Sequence, residues 1–200
     1  MLPPRNMEVN KAIFLDKDGT LIRDIPYNVN PDLITLSDRT IEGLKMLSAA
    51  GYQFIVISNQ SGVAMGFFDY DELFLVERKI RQLLEASGVQ IKEFYYCPHH
   101  PQGVVEQYKK HCNCRKPGTG MFRAAAETHA IDLSASWMIG DILDDIEAGN
   151  RAGCKTVLIN NGNETEWKID KNRVPDCMVG DINAAATYIL EMSALGRAIA

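Results

Sequence analysis

No stretch of this sequence is both long and apolar enough to cross a membrane. The longest run without a charged residue, from Met46 to Phe68, is interrupted by Gly51, Gln53, Asn59, Gln60 and Gly62. One helix could not carry those groups through hydrocarbon. Positive charge is not in excess either. Lys and Arg number 21 against 26 Asp and Glu, a net charge of −5, and no basic stripe offsets it, which argues against nucleic acid as a partner. Internal repeats and low-complexity segments are missing. The first six residues, Met-Leu-Pro-Pro-Arg-Asn, have no apolar core of a signal peptide. These absences lead us to expect a cytoplasmic monomer that acts on a small molecule.

What is present is ordinary in bulk. The 200 residues are 46% apolar and 24% charged, the profile of a globular chain able to bury a core without disulfide staples. At about 150 residues per domain, one domain over 1–200 is expected.

Short apolar runs alternate with helical periodicity. Ala12–Leu15, 52–57, 91–96, Trp137–Ile139 and Thr156–Ile159 read as strands, with Cys177–Val179 as an edge strand. Ile41, Leu44 and Leu47 fall at helical spacing before Gly51, and Leu73, Val76, Ile80, Leu83 and Leu84 line a second helix ending near Gly88. A short helix carries Ile146 and Ala152 before Gly153, and a terminal helix starts at about Ile182. The pattern predicts an α/β fold: a three-layer sandwich around a mostly parallel, Rossmann-like sheet. Segments available for covering it are short, so no large cap domain is expected.

Ligands of such sheets lie beyond the carboxyl ends of the strands. Asp16, Ser58, Cys97 and Asp141 each stand just after an expected strand, which places four reactive side chains around one crevice. Asp16 and Asp18, with Gly19 to turn the chain, can hold a hard cation or divide nucleophilic and acid/base work. An ordinary Asp-Gly turn would use the same residues. Asp141 is a candidate third carboxylate, whereas Asp144 is accounted for by the macrodipole of the helix that follows. Ser58, Asn59, Gln60, Ser61 and Gly62 offer hydroxyl, amide and backbone donors suited to phosphate, although such loops are also common turns. Arg115 and Lys116 form a basic pair in an otherwise acidic protein.

In this order the motifs resemble those of the haloacid dehalogenase-like phosphohydrolases. They are Phe14-Leu15-Asp16-Lys17-Asp18-Gly19-Thr20-Leu21, Ser58-Asn59, Lys116, and Gly140-Asp141 through Asp145. The resemblance implies that Asp16 attacks phosphorus and carries an aspartyl-phosphate. Asp18 then protonates the leaving alkoxide and later deprotonates water. Ser58 and Lys116 hold the phosphoryl oxygens, and Asp16, Asp141 and the Asp18 carbonyl hold Mg²⁺. An anionic nucleophile facing an anionic phosphate needs such cations and donors to offset the repulsion.

Cysteine forms a second cluster. Cys97-Pro98-His99 is followed, twelve residues on, by Cys112-Asn113-Cys114. Cys97, His99, Cys112 and Cys114 make a closed set for structural Zn²⁺ in a loop over about 97–114. A disulfide from Cys97 to Cys112 or Cys114, or His100 in place of His99, are the alternatives. Cys154 and Cys177 stand apart and read as inert buried thiols.

The stretches Tyr96-Cys97-Pro98-His99-His100-Pro101-Gln102-Gly103 and Cys112-Asn113-Cys114-Arg115-Lys116-Pro117, with Asn59-Gln60-Ser61-Gly62-Val63-Ala64, resemble the D-glycero-D-manno-heptose-1,7-bisphosphate 7-phosphatases. Histidinol-phosphate phosphatases carry a similar zinc loop and are the alternative. Those heptose enzymes usually have arginine where this chain has Met65, and a proline-bearing version of Gly118-Thr119-Gly120. The resemblance implies removal of the C7 phosphate in nucleotide-heptose synthesis for lipopolysaccharide or other surface glycans. It also implies that Asp24, Ile25, Pro26 and Tyr27 line the sugar together with Ser58, Asn59, Gln60 and Ser61. Arg115 is the candidate donor to the second phosphate, through its planar fork; packing beside the zinc loop is its plainer role.

Overall fold

The computed structural model describes residues 10–199; the N-terminal residues 1–6, read above for a signal peptide, lie outside them. Six strands form one parallel sheet: β1 (Ala12–Leu15), β2 (Gln53–Asn59), β3 (Ile91–Cys97), β4 (Trp137–Gly140), β5 (Lys155–Ile159) and β6 (Cys177–Val179). Their spatial order is β3-β2-β1-β4-β5-β6. The chain winds outward from β1 to one edge, then returns to start again at β4. The topological switch point therefore lies between β1 and β4, where a ligand crevice opens in folds of this type.

Side-chain alternation along the strands builds two apolar layers. Ile13, Leu15, Val56, Ile139 and Val157 pack toward α1 (Thr40–Ala49), α3 (Leu73–Glu85) and α6 (Ile182–Ile199). Ala12, Phe14, Ile55, Ile57 and Met138 face the opposite side, against α4 (Gly120–His129). There the Phe14 and Phe122 rings stand 4.7 Å apart. Leu158 joins Leu143 and Ile146 of α5 (Leu143–Ala152). Each fully buried side chain of this size contributes about 1.5–3 kcal/mol, so the two layers fix the strand register and, with it, the strand ends.

The three-layer α/β expectation holds, with four local corrections. Ser58 and Asn59 are the last residues of β2, and Cys97 the last of β3, instead of following their strands. Pairing of Ser58 with Tyr96 and Asn59 with Cys97 extends both strands by ladder hydrogen bonds that side-chain pattern does not reveal. The sequence pattern shows no clear helical period between β3 and β4, yet α4 is there. Its buried residues are only Met121, Phe122 and Ala125, too few to make a strong helical period. A one-turn helix, α2 (Ser61–Ala64), follows β2 directly. Finally, Cys154 is buried, but Cys177 is only half-buried because β6 is the edge strand.

The covers are short. Residues 24–37 carry a single 3₁₀ turn, Pro31–Leu33, tied to the first loop by the Ile22–Leu36 bridge. Residues 98–119 form the second cover. Among the described residues, no helix is long and apolar enough to span a membrane.

Candidate active site

The carboxyl ends of β1 and β4 bring together side chains that are far apart in sequence. Carboxylate oxygens of Asp16, Asp141 and Asp145 lie within 4.8 Å of one another, all three residues buried. Lys116, only 2% exposed, reaches into the same space. Its Nζ pairs with Asp16 and with Asp145 (2.6 Å), and donates to the Ile57 carbonyl at 3.0 Å. Buried charges need such partners. Three carboxylates facing one ammonium leave two uncompensated negative charges, the complement of one divalent cation held by hard oxygen donors.

The electrostatics follow from this crowding. Burial pushes the Asp16 carboxyl well above the usual range; Lys116 opposes the shift, and Asp145 and Asp141 add to it. Burial, then the Asp145 charge, pushes Asp141 up to about 6. The Lys116 ammonium is held above its ordinary value by Asp145 and Asp16, against the cost of burial. A cation among the carboxylates would favour their ionised forms.

Asp145 was not singled out in the sequence. It stands four residues after Asp141 in the first turn of α5, so the helix turns it back over the strand end. Its Oδ2 accepts the Asp141 and Ile142 N–H groups at 3.2 and 3.3 Å. The i, i+4 spacing at a helix start was the available signal.

The Asp18 carboxylate lies outside this cluster. Its Oδ1 pairs with Lys17 Nζ at 2.6 Å, and its Oδ2 accepts from Gln60 Nε2 at 2.9 Å. The same amide nitrogen donates to Ser58 Oγ at 2.8 Å. Gln60, 42 positions from Asp18, thus ties the buried Ser58 hydroxyl to that carboxylate.

A pocket of about 240 Å³ opens beside Asp18. Asp24, Pro26, Tyr27, Asn59, Gln60 and Ser61 line it, together with Lys17, Asn28 and Gly62. Ile25 is exposed but does not line it, and Ser58, Arg115 and Lys116 lie outside its wall. Tyr27 meets Phe67 edge-on, ring centroids 4.6 Å apart, at the rim. A roomier groove of about 600 Å³ runs along α3, but its lining contains none of the buried carboxylates.

The cysteine loop closes on itself. Cys114 Sγ lies 3.0 Å from both Cys97 Sγ and Cys112 Sγ, Cys97 and Cys112 are 3.4 Å apart, and His99 Nδ1 is 3.3 Å from Cys114 Sγ. All five cysteines are free, so the alternative disulfide is not formed. His100 instead turns its Nδ1 to the Gln102 N–H at 3.2 Å, which leaves His99 as the fourth member. Three sulfurs and one imidazole nitrogen so arranged fit a tetrahedral metal. The loop leads directly into Arg115 and Lys116. The Arg115 N–H donates to Cys112 Sγ at 3.4 Å, while its Nη1 is buried without a hydrogen-bond partner.

Comparison with known proteins agrees with this geometry. The HAD-hydrolase-like family model matches residues 113–185. The chain is 41% identical over 152 residues to a D-glycero-beta-D-manno-heptose-1,7-bisphosphate 7-phosphatase of Photorhabdus laumondii, covering 76% of this chain and 81% of the relative. A second protein of that organism, named for the alpha anomer, is 36% identical over 78% of this chain and 85% of its own length. A D,D-heptose 1,7-bisphosphate phosphatase from B. bronchiseptica, solved with magnesium and phosphate, superposes with a TM-score of 0.78. It is 29% identical over 91% of this chain and 99% of that one. This chain belongs to the D-glycero-D-manno-heptose-1,7-bisphosphate 7-phosphatase family of haloacid dehalogenase-like phosphatases.

Proposed function

We propose that this protein removes the C7 phosphate from D-glycero-D-manno-heptose 1,7-bisphosphate, with Mg²⁺, in nucleotide-heptose synthesis for lipopolysaccharide or other surface glycans. The observation that carries the reading is the buried Asp16, Asp141, Asp145 and Lys116 set at the switch point, next to a pocket sized for a small sugar.

Asp16 is the nucleophile: its carboxylate attacks phosphorus, the sugar alkoxide leaves, and an aspartyl-phosphate forms. Asp18, aimed by Gln60, gives the alkoxide its proton and then takes one from the water that hydrolyses the intermediate. Ser58 and Lys116 hold the phosphoryl oxygens. Asp16, Asp141 and the Asp18 carbonyl would hold Mg²⁺, which when bound supplies positive charge against the transferring phosphoryl group. Asp145 is the partner that keeps Lys116 in place. Asp24, Pro26, Tyr27, Asn59, Gln60 and Ser61, which line the pocket, hold the sugar. The unpaired Arg115 Nη1 supports that residue as donor to the phosphate that is not hydrolysed.

Cys97, His99, Cys112 and Cys114 would hold a structural Zn²⁺, and a loop closed in that way would fix Arg115 and Lys116 against the crevice. The chain works as one catalytic domain over 1–200, a cytoplasmic monomer without nucleic-acid or membrane partners. A screen of phosphorylated metabolites scored by released phosphate tests the reading: heptose 1,7-bisphosphate should give the highest kcat/KM. Preference for histidinol phosphate would overturn the substrate.

A further inference from the structure

One stretch of chain that the chemistry above leaves unused follows β5. Asn161 Nδ2 donates to the Gly19 carbonyl at 2.7 Å, and Asn163 Nδ2 donates to Asp141 Oδ2 at 2.7 Å. Glu164 Oε2 accepts the Leu143 N–H, the first of α5, at 2.7 Å. Three residues within four consecutive positions thus grip the loop after β1, the carboxylate after β4, and the helix that begins there. Further along, Arg173 fastens the same excursion to α5, through Asp144 at 2.5 Å and Glu147 at 2.7 Å.

We propose that Asn163 is a positioning residue that orients the Asp141 carboxylate toward the divalent cation, with Asn161 fixing Gly19 beside it. The proposal rests on the reading of Asp141 as a cation ligand. Two observations support it. First, Asp141 is held from both sides: Oδ2 by Asn163, and Oδ1 by Thr20 Oγ1 at 3.1 Å. Each oxygen keeps free lone-pair capacity for a cation, while rotation of the carboxylate would break both bonds. Second, the contact passes over a residue with no side chain. A β-carbon on Gly19 would stand 2.1 Å from Asp141 Oδ2 and 2.3 Å from Asn163 Nδ2. The glycine that turns the first loop at φ +80° therefore also leaves the space in which Asn163 meets Asp141.

Outer-sphere partners of this kind typically change metal affinity 10- to 100-fold. The test is Mg²⁺ binding to the substrate-free protein, followed by calorimetry, with thermal unfolding as a check on folding. Asn163→Ala should weaken Mg²⁺ binding by about tenfold or more, and kcat at saturating Mg²⁺ should fall much less than affinity does. Asn163→Leu, which keeps the volume and lacks the amide, should show the same loss. Asn163 is exposed, so neither change empties the core. Lys168→Ala, which alters only an exposed ion pair with Glu166 in the same excursion, should leave Mg²⁺ affinity unchanged. If Asp141→Asn abolishes binding while both Asn163 variants bind within twofold of the unaltered protein, the positioning role is wrong. If Asp141→Asn binds Mg²⁺ normally, the reading of Asp141 fails and the proposal falls with it.

Discussion

Asn59 and Lys116 clasp each other through paired hydrogen bonds, 57 positions apart in sequence. Asn59 Nδ2 donates to the Lys116 carbonyl at 3.0 Å, and the Lys116 N–H donates to Asn59 Oδ1 at 2.9 Å. Asn59 ends β2, and Lys116 follows the cysteine loop. The pair therefore sets the height at which the ammonium enters the carboxylate cluster. Asn59→Ala leaves both backbone groups of Lys116 without these partners, at a cost of about 1–3 kcal/mol. It should also lower kcat. Denaturant unfolding and phosphate release, measured together, check both effects; unchanged values in each would show that the clasp is idle.

Asp16→Asn should abolish turnover, because the amide keeps the volume but cannot form the acyl phosphate. Asp18→Asn should lose roughly 10²- to 10⁴-fold, as expected for an acid/base group. Phosphate release at saturating Mg²⁺ is the measurement, and near-normal activity in Asp16→Asn would sink the assigned chemistry.

Zinc should copurify at about one per chain and survive brief EDTA treatment that strips Mg²⁺. Cys112→Ser should lower both stability and activity, since structural zinc contributes directly to folding. Elemental analysis of protein purified under reducing conditions is decisive: no zinc would refute the site.

Arg115→Ala should raise KM and depress kcat/KM for the 1,7-bisphosphate far more than for a simple monophosphate. Damage to the cysteine loop would depress both alike. Equal losses would leave Arg115 with a packing role only.

Without a cation, burial and then the Asp145 charge push Asp141 up to about 6, above its ordinary value of about 3.9. Between those values the native state binds more protons than the unfolded chain. This carboxyl therefore makes the metal-free protein less stable as pH rises through that window, and Asp16 is shifted in the same direction. Mg²⁺ relieves the repulsion only when the carboxylates are ionised. The rise in Tm on adding Mg²⁺ should accordingly be larger at pH 7.5 than at pH 5. An equal rise at both would contradict the placement of the cation among these carboxylates.

Much of this molecule can be read from local pattern. Apolar runs at β1, β2 and β4 give way to Asp16, Ser58 and Asp141, the polar groups expected where the carboxyl ends of parallel strands meet a ligand. Cysteine spacing selected four members of one cluster, since tetrahedral metal sites use ligand pairs joined by a loop. What the sequence alone could not decide was set by distance across the fold. Helix α4 gave too few buried residues to declare itself. Asp145 ends the fourth motif with no role assigned by the sequence, and only the first turn of α5 carries it back to Lys116. Asn161 and Asn163 carry no local signal, yet the parallel order β1-β4-β5 lays their turn against Gly19 and Asp141. Residue type and spacing determined which groups could do the chemistry. The topology of the sheet decided which of them meet, because neighbouring strand ends in a parallel sheet belong to segments far apart in the chain.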